Sequence, residues 1–167
     1  MAEGAPKVLG MLDLRGARWP ARAAAGLAFA SAAVSFYWTL GGTFLLDTVG
    51  GAIEDLARER SLGTVALGMT TVVLKVAAGA LVLALLHPPA NAFRRRSLIL
   101  ANGAASVIIC VWGGVNVVVG ALVLSGAISP TGDVDRHALR WHVFVWDMWF
   151  LVWGLAVALA VAAARRT

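Results

Sequence analysis

Four long hydrophobic segments constrain the fold of this chain more than any other feature. They cover residues 21–42, 62–86, 98–124 and 141–163, and each reaches the roughly 20 residues that a helix needs to cross a hydrocarbon core. Sixty per cent of the 167 residues are hydrophobic and 14% are charged, which is far from the composition of soluble domains. The sequence therefore predicts an all-α integral membrane protein, a four-helix bundle with a leader at residues 1–20 and a single four-span membrane domain at 21–167.

The distribution of Lys and Arg predicts the orientation of these spans. Nine of them lie in the N-terminal region, in the loop after the second span and in the tail, and four lie in the other two connections. By the positive-inside rule, both termini face the cytoplasm. Because the basic residues cluster at span ends, the net charge of +5 indicates topology and contact with the lipid bilayer, and no nucleic-acid partner is predicted. Abundant Ala, Gly and Val, with Arg preferred over Lys, favour a bacterial source and a multi-pass protein of the bacterial plasma (inner) membrane.

Cofactor and metal chemistry find little support in the sequence. Cys110 is the single cysteine, so thiol-disulfide redox pairs and thiolate metal clusters are excluded. His87 is predicted on the opposite side of the membrane from His137 and His142, which disfavours paired haem ligation, and the latter two lack the further ligands of a zinc site. No nucleotide-binding or hydrolase motif is present. We predict neither a cofactor nor a metal.

Two ionisable residues lie deep within predicted spans, Asp147 in the last and Lys75 near the middle of the second. A charge at such a depth costs a few kcal/mol on insertion scales and normally has a partner or a water-filled pocket. At 1.5 Å per residue, Asp147 lies roughly 9 Å and Lys75 roughly 20 Å from the outer end of its span. Lys75 is the strongest candidate partner of Asp147. Its side chain covers part of this offset, so the sequence allows a direct or a water-bridged pair without requiring either.

Other polar and aromatic residues are predicted in the same outer half of the membrane and would complete a pocket around the pair. The predicted ligand-binding set is Ser35, Trp38, Thr71, Lys75, Asn116, His142, Trp146 and Asp147. An ionisable residue inside a membrane span usually marks a functional site, so we take this set as a candidate binding site. The alternative is an ion pair and a hydrogen-bond network that fix helix register without binding anything.

Several of these residues belong to a wider resemblance. SFYWTLGG at 35–42, DTVGG at 47–51, mid-span Lys75 and RWHVFVWDMW at 140–149 together resemble an uncharacterised bacterial membrane family, domain of unknown function 3995. The similarity covers nearly the whole chain from about residue 21. Members of that family often have a proline after the aspartate, where this chain has Met148. The resemblance implies four spans and no established activity.

Three functions remain open at this point. The first is small-ligand binding, or a transport-related accessory role, for an apolar or amphipathic ligand in the outer pocket. The second is a membrane-embedded enzyme acting on a lipid or isoprenoid, with Asp147 as acid/base and Lys75 holding a charge or tuning its pKa. The third is a structural subunit that packs through Gly-rich faces in a homo-oligomer or a larger membrane complex. A cavity near Asp147 would favour the first two, and a filled centre the third.

Overall fold

The computed structural model describes residues 5–166, with side chains described from Arg18 onward. Within that range the chain is helical and contains no strand. The six helices are α1 (Ala5–Thr39), α2 (Gly51–Glu59), α3 (Leu62–Leu83), α4 (Ala92–Leu124), α5 (Arg136–Trp141) and α6 (Asp147–Arg166). Two 3-10 turns lie at Leu46–Thr48 and Ala84–Leu86, and a π-helical segment, His142–Trp146, joins α5 to α6.

Three helical stretches are long and apolar enough to cross a membrane: Leu62–Leu86, Ala92–Leu124 and Arg136–Arg166. The apolarity of α1 is lower, because Arg22 and two serines interrupt its alanine-rich run. The all-helical prediction is thus confirmed for the described residues, together with three membrane-capable helices. A fourth span and the orientation of the termini stay predictions.

The ends of α1 differ from the predicted span at 21–42. The helix begins at Ala5 and continues through Pro20, which was expected at its first turn. It ends at Thr39 because Gly41 adopts a left-handed conformation with a φ of 96°. The amides of Gly41 and Gly42 bond back to carbonyls of the last turn, at 2.9 Å each, in the pattern of a Schellman motif.

The second and third predicted spans end at Leu86 and Leu124, as the helical stretches do. The third begins at Ala92, six residues before the predicted position 98, because Asn91 caps α4 by accepting a hydrogen bond from the amide of Arg94 at 3.1 Å. The arginine cluster that follows therefore lies within the helix.

The helices pack in the order α3, α1, α6, α4, with each neighbouring pair antiparallel. Ala24 and Ala28 on α1 are fully buried and belong to one core cluster with Val157 and Ala160 of α6. Small side chains allow this close approach, as they do in membrane helix interfaces generally.

The contact between α4 and α6 is closer still. A Cβ atom at Gly113 would lie 2.5 Å from the amide nitrogen of Leu151 and 2.7 Å from the carbonyl oxygen of Asp147. One at Gly154 would lie 2.8 Å from the amide nitrogen of Cys110. Both positions therefore require glycine.

The outer helices α3 and α4 share few contacts. They approach each other near their connecting loop, where Asn102 donates a hydrogen bond to the carbonyl of Leu81 at 3.2 Å and Val82 is fully buried. Toward the other end of the molecule, where α2 lies, the two helices line a cavity instead.

Candidate functional site

A cavity of about 520 Å³ lies between α1, α3, α4 and α6 and extends to α2. Its volume is within the range of small-molecule sites, and its walls are mostly apolar. The lining residues are Ser31, Val34, Ser35, Trp38 and Thr39 from α1; Val49, Ile53, Leu56, Ala57 and Arg60 from the loop and α2; Thr64, Val65, Leu67, Gly68, Thr71 and Lys75 from α3; Trp112 and Asn116 from α4; and His142, Trp146, Asp147, Trp149 and Phe150 from the π segment and α6.

All eight residues of the predicted binding set line this cavity. They come from α1, α3, α4 and the junction of the π segment with α6, and they are Ser35, Trp38, Thr71, Lys75, Asn116, His142, Trp146 and Asp147. The structure brings them together in space. Their role in binding a ligand stays a prediction.

Lys75 contacts α1 rather than the last helix's carboxylate. Its ammonium donates to Ser35 Oγ at 2.7 Å and to the carbonyl of Ser31 at 3.5 Å. The nitrogen also lies 5.6 Å from the centroid of the Phe150 ring, within cation–π range. An ammonium has three N–H donors, so one has no protein acceptor among the described residues.

Asp147 is 6% exposed, and its carboxylate contacts His142. Oδ2 lies 3.0 Å from Nδ1 of that ring, while Nε2 lies 2.8 Å from the carbonyl oxygen of Val49. A carbonyl can only accept, so Nε2 carries a hydrogen. The bond between Nδ1 and Oδ2 then holds one proton, on the imidazole or on the carboxyl group. In either form this dyad of His142 and Asp147 is neutral overall.

Lys75 and Asp147, which the sequence left as possible partners, do not pair directly. Both residues lie in the described part of the chain, and no ion pair joins them. The reason is that each finds a nearer partner, Lys75 on the facing turns of α1 and Asp147 within its own helix. The two groups share a cavity without sharing a hydrogen bond.

The π segment brings the side chains of His142 and Asp147 together. Residues five apart on an α-helix are separated by about 140° around the axis, so their side chains do not meet. In the π segment the backbone bonds from residue i to i+5, as the amide of Asp147 does to the carbonyl of His142, and such residues come to the same side. Isolated π turns of this kind occur often at functional sites.

Indole groups tie the loop at residues 43–49 to the site. Trp146 Nε1 donates to Thr48 Oγ1 at 3.1 Å, and Trp38 Nε1 donates to the carbonyl of Phe44 at 3.0 Å. The two indole rings meet edge to face, with centroids 5.4 Å apart. Trp149 Nε1 donates to the carbonyl of Leu27 at 3.2 Å. Because their N–H groups are already used in these bonds, the three tryptophans expose only the carbon atoms of their rings to the cavity.

Sequence reasoning missed Val49, Ser31 and Phe150. Val49 and Ser31 act through backbone carbonyls, which carry no residue-type signal, and Phe150 resembles any other apolar side chain of a span. The contribution of α2 to the cavity could have been recognised from the sequence. Ile53 and Leu56 are three residues apart and so form an apolar side on an otherwise charged helix.

Metal ligation has no evident site here. Among the residues that the structure describes, no three His, Cys, Asp or Glu side chains come together in a group that could hold an ion.

Comparison with known proteins gives one match. The family model described as protein of unknown function (DUF3995) matches residues 28–157. That range includes every residue of the predicted binding set. No curated protein and no solved structure matches the chain.

Proposed function

The chain belongs to the DUF3995 family of proteins of unknown function, and we propose that it binds a small apolar or amphipathic ligand within the membrane. The observation that carries the proposal is the cavity of about 520 Å³. Its largely apolar walls surround the ammonium group of Lys75, which has no acidic partner in the described part of the chain. A purely structural bundle has no need for such a space, and filling it would stabilise the packing.

The proposed setting is the bacterial plasma membrane, with α1 as a fourth span and both termini in the cytoplasm. Packing supports the role of α1: it lies between α3 and α6, and its alanine face is completely buried against them. The charge distribution supports the orientation. In this arrangement the cavity occupies the outer half of the bilayer, with α2 at the outer surface.

The walls of the cavity suggest how a ligand reaches it. Leu67 on α3 and Trp112 on α4 both line the cavity and are 57% and 62% exposed, respectively. Because α3 and α4 diverge at this end, the opening between them would face lipid. A ligand dissolved in the bilayer could enter there, which suits an accessory protein that holds a ligand for a transporter or another membrane partner.

Two neighbouring threonines offer a matched test of ligand binding. Thr71 lines the cavity and Thr70 does not, although both donate to a carbonyl of their own helix, at 3.0 and 2.8 Å. We expect organic extracts of purified protein to contain a bound small molecule by mass spectrometry in the wild type and in Thr70→Trp. Thr71→Trp should lose it, because the indole would occupy the cavity. Extracts that contain nothing beyond bulk lipid in all three proteins would contradict the proposal.

A second candidate, an enzyme acting on a lipid or isoprenoid, is favoured by the dyad. One proton lies between His142 and Asp147 at the wall of an apolar cavity, where it could be given to or taken from a bound ligand. Asp147→Asn separates the two functions. If the protein only binds a ligand, the variant should yield the same small molecule as the wild type, whereas an enzyme should accumulate a different molecule, the unconverted precursor, in the same extracts.

A further inference from the structure

The charges around the cavity identify a ligand class. We propose that the ligand is an amphiphile with a single carboxylate, which accepts a hydrogen bond from Lys75 while its apolar chain lies along α3 toward α2. This inference rests on the proposed binding function and adds the headgroup and the orientation of the ligand.

The cavity has an excess of positive charge. Asp147 is the one acidic residue among the described lining residues, and its dyad with His142 is neutral in either proton arrangement. Arg60 lies at the α2 end and donates to the carbonyl of Leu40 at 2.9 Å. Lys75, thirteen residues into α3, therefore has no counter-charge among the residues whose side chains are described. An uncompensated ammonium at that depth is costly, and a bound monoanion would offset the cost.

The single positive charge at the Lys75 end of the cavity favours carboxylate over phosphate. One N–H of Lys75 is unassigned, and Asn116 uses one amide hydrogen on the carbonyl of Trp112 at 2.7 Å, which leaves the other. The indoles of Trp38, Trp146 and Trp149 already donate to protein oxygens. A carboxylate needs few donors, whereas a phosphate carries more charge and three strong acceptor oxygens. Lys75 is the one cationic group of the described lining away from the α2 end, where Arg60 lies, and a single positive charge matches a carboxylate better than a phosphate.

The apolar walls fix where the rest of the ligand would lie. From Lys75 the α3 side of the cavity continues over Thr71, Gly68 and Leu67 to Thr64, eleven residues away. At 1.5 Å per residue this path is roughly 17 Å long. At Gly68 this path lies beside Thr39 of α1, whose side chain packs against the glycine and also lines the cavity. An aliphatic chain of medium length would follow it and end beneath Ile53 of α2.

Quenching of tryptophan fluorescence by brominated probes tests the headgroup. The full-length protein in nanodiscs of zwitterionic phosphatidylcholine is titrated with three probes of the same medium-chain length: a carboxylic acid, an alcohol and an alkyl phosphate. The wild type should bind the carboxylate about tenfold more tightly than the alcohol, because a hydrogen bond to a charged group is the difference between them.

Three variants assign that preference to one side chain. Lys75→Met should bind the two probes equally and retain the wild-type affinity for the alcohol, whereas Lys75→Arg should keep the preference. Arg94→Met removes an exposed charge outside the cavity and should resemble the wild type. Size-exclusion elution at the wild-type volume is required of each variant.

The remaining outcomes separate the two proposals. Equal wild-type affinity for carboxylate and alcohol would overturn the ligand class and leave ligand binding in place. Tighter binding of the alkyl phosphate would replace the carboxylate with a phosphate-headed lipid. If no probe gives saturable quenching, then both the ligand class and the proposed function are wrong.

Discussion

His142 keeps the dyad neutral overall, because its two ring nitrogens have different partners. The carbonyl of Val49 requires a hydrogen on Nε2, and the carboxyl group of Asp147 then shares the remaining proton with Nδ1. The dyad is therefore held by hydrogen bonds whether or not it is ionised. This explains how a carboxyl group can lie 6% exposed inside an apolar segment without an external cation.

Substitutions at Asp147 test this description. Asn can donate from its amide to the bare Nδ1 of neutral His142, so we expect Asp147→Asn to stay within about 1 kcal/mol of the wild-type free energy of unfolding. Asp147→Ala leaves Nδ1 without a partner and should cost roughly 1 to 3 kcal/mol. Denaturant-induced unfolding in detergent micelles measures both. An equally large loss in the two variants would mean that the dyad depends on its charges.

The sequence identifies the ionisable residues of the site but not their pairing. Lys75 and Asp147 stand out because each interrupts a long apolar run. Ser35 and His142 belong to the predicted set, but the sequence does not show which residue each one pairs with. Ser35 is one of two serines on its face of α1, and His142 lies five positions from Asp147, a spacing that an α-helix does not bring together. The pairing becomes predictable only once the π segment is known.

Among the elements, the π segment joins the loop before α2 to the last helix. Trp146 donates to Thr48 and also contacts Trp38 edge to face. Trp146→Phe removes the donor and keeps the ring contact. We expect faster amide hydrogen exchange at Leu46–Thr48 and unchanged exchange in α3. Trp149→Phe is the matched control, because it removes a donor to Leu27 on α1 and should leave the loop protected.

Exchange that accelerates equally in the loop and in α3 would contradict this prediction, because it would indicate global destabilisation. Exchange that stays unchanged at Leu46–Thr48 would show that the bond of His142 to Val49 holds the loop without help from the indole.

The approach of α4 to α6 depends on one of two adjacent glycines. A Cβ at Gly113 would collide with backbone atoms of α6, whereas one at Gly114 would meet only Leu151 Cδ1, at an ordinary 3.8 Å. Gly113→Ala should therefore destabilise the protein by about 1 to 3 kcal/mol. Gly114→Ala should be neutral or stabilising by up to roughly 1 kcal/mol, since alanine is the better helix former.

Thermal unfolding of the two glycine variants in the same detergent gives the comparison directly. Melting temperatures that move in the same direction for both would show that α4 and α6 can separate slightly to admit a methyl group, which the backbone contacts of Gly113 argue against.

Helix ends were predictable wherever a strong local signal marks them. The stretch ending at Leu86 is followed by His87-Pro88-Pro89, and proline cannot continue the hydrogen-bond pattern. The start of α4 carries a weaker signal, because Arg94 and its neighbours resemble a loop by charge, although they extend a helix that Asn91 caps. Charged residues indicate where a helix leaves the membrane, whereas the capping residue indicates where the helix itself begins.

At the scale of the whole molecule, the packing order α3, α1, α6, α4 explains the cavity. The buried core, including Val82 and Leu85, lies where the outer helices converge, while α3 and α4 have no such contact around the cavity. Neither the order nor the divergence follows from the sequence, because each span has small residues on more than one side. The composition of the cavity was nevertheless predictable, since polar side chains in apolar spans face inward.

The membrane topology is the prediction that most affects the location of the cavity. If α1 crosses the bilayer, α2 and the loop before α5 lie outside, and the loop between α3 and α4 lies in the cytoplasm. If α1 does not cross, then the N-terminus and α2 lie on the same side. The four-span arrangement is expected because α1 packs between α3 and α6 and its alanine face is buried from Ala21 to Ala32.

Single cysteines in a Cys110→Ala background separate these arrangements. Ala52, Ala90 and Thr131 are all exposed positions in the three connections. An impermeant maleimide applied to intact cells should label Ala52→Cys and Thr131→Cys, and should label Ala90→Cys only after permeabilisation. An N-terminal epitope should likewise require permeabilisation, because four spans place it on the side of Ala90. An epitope detected on intact cells, together with labelled Ala52→Cys, would remove α1 from the membrane and leave a three-span protein.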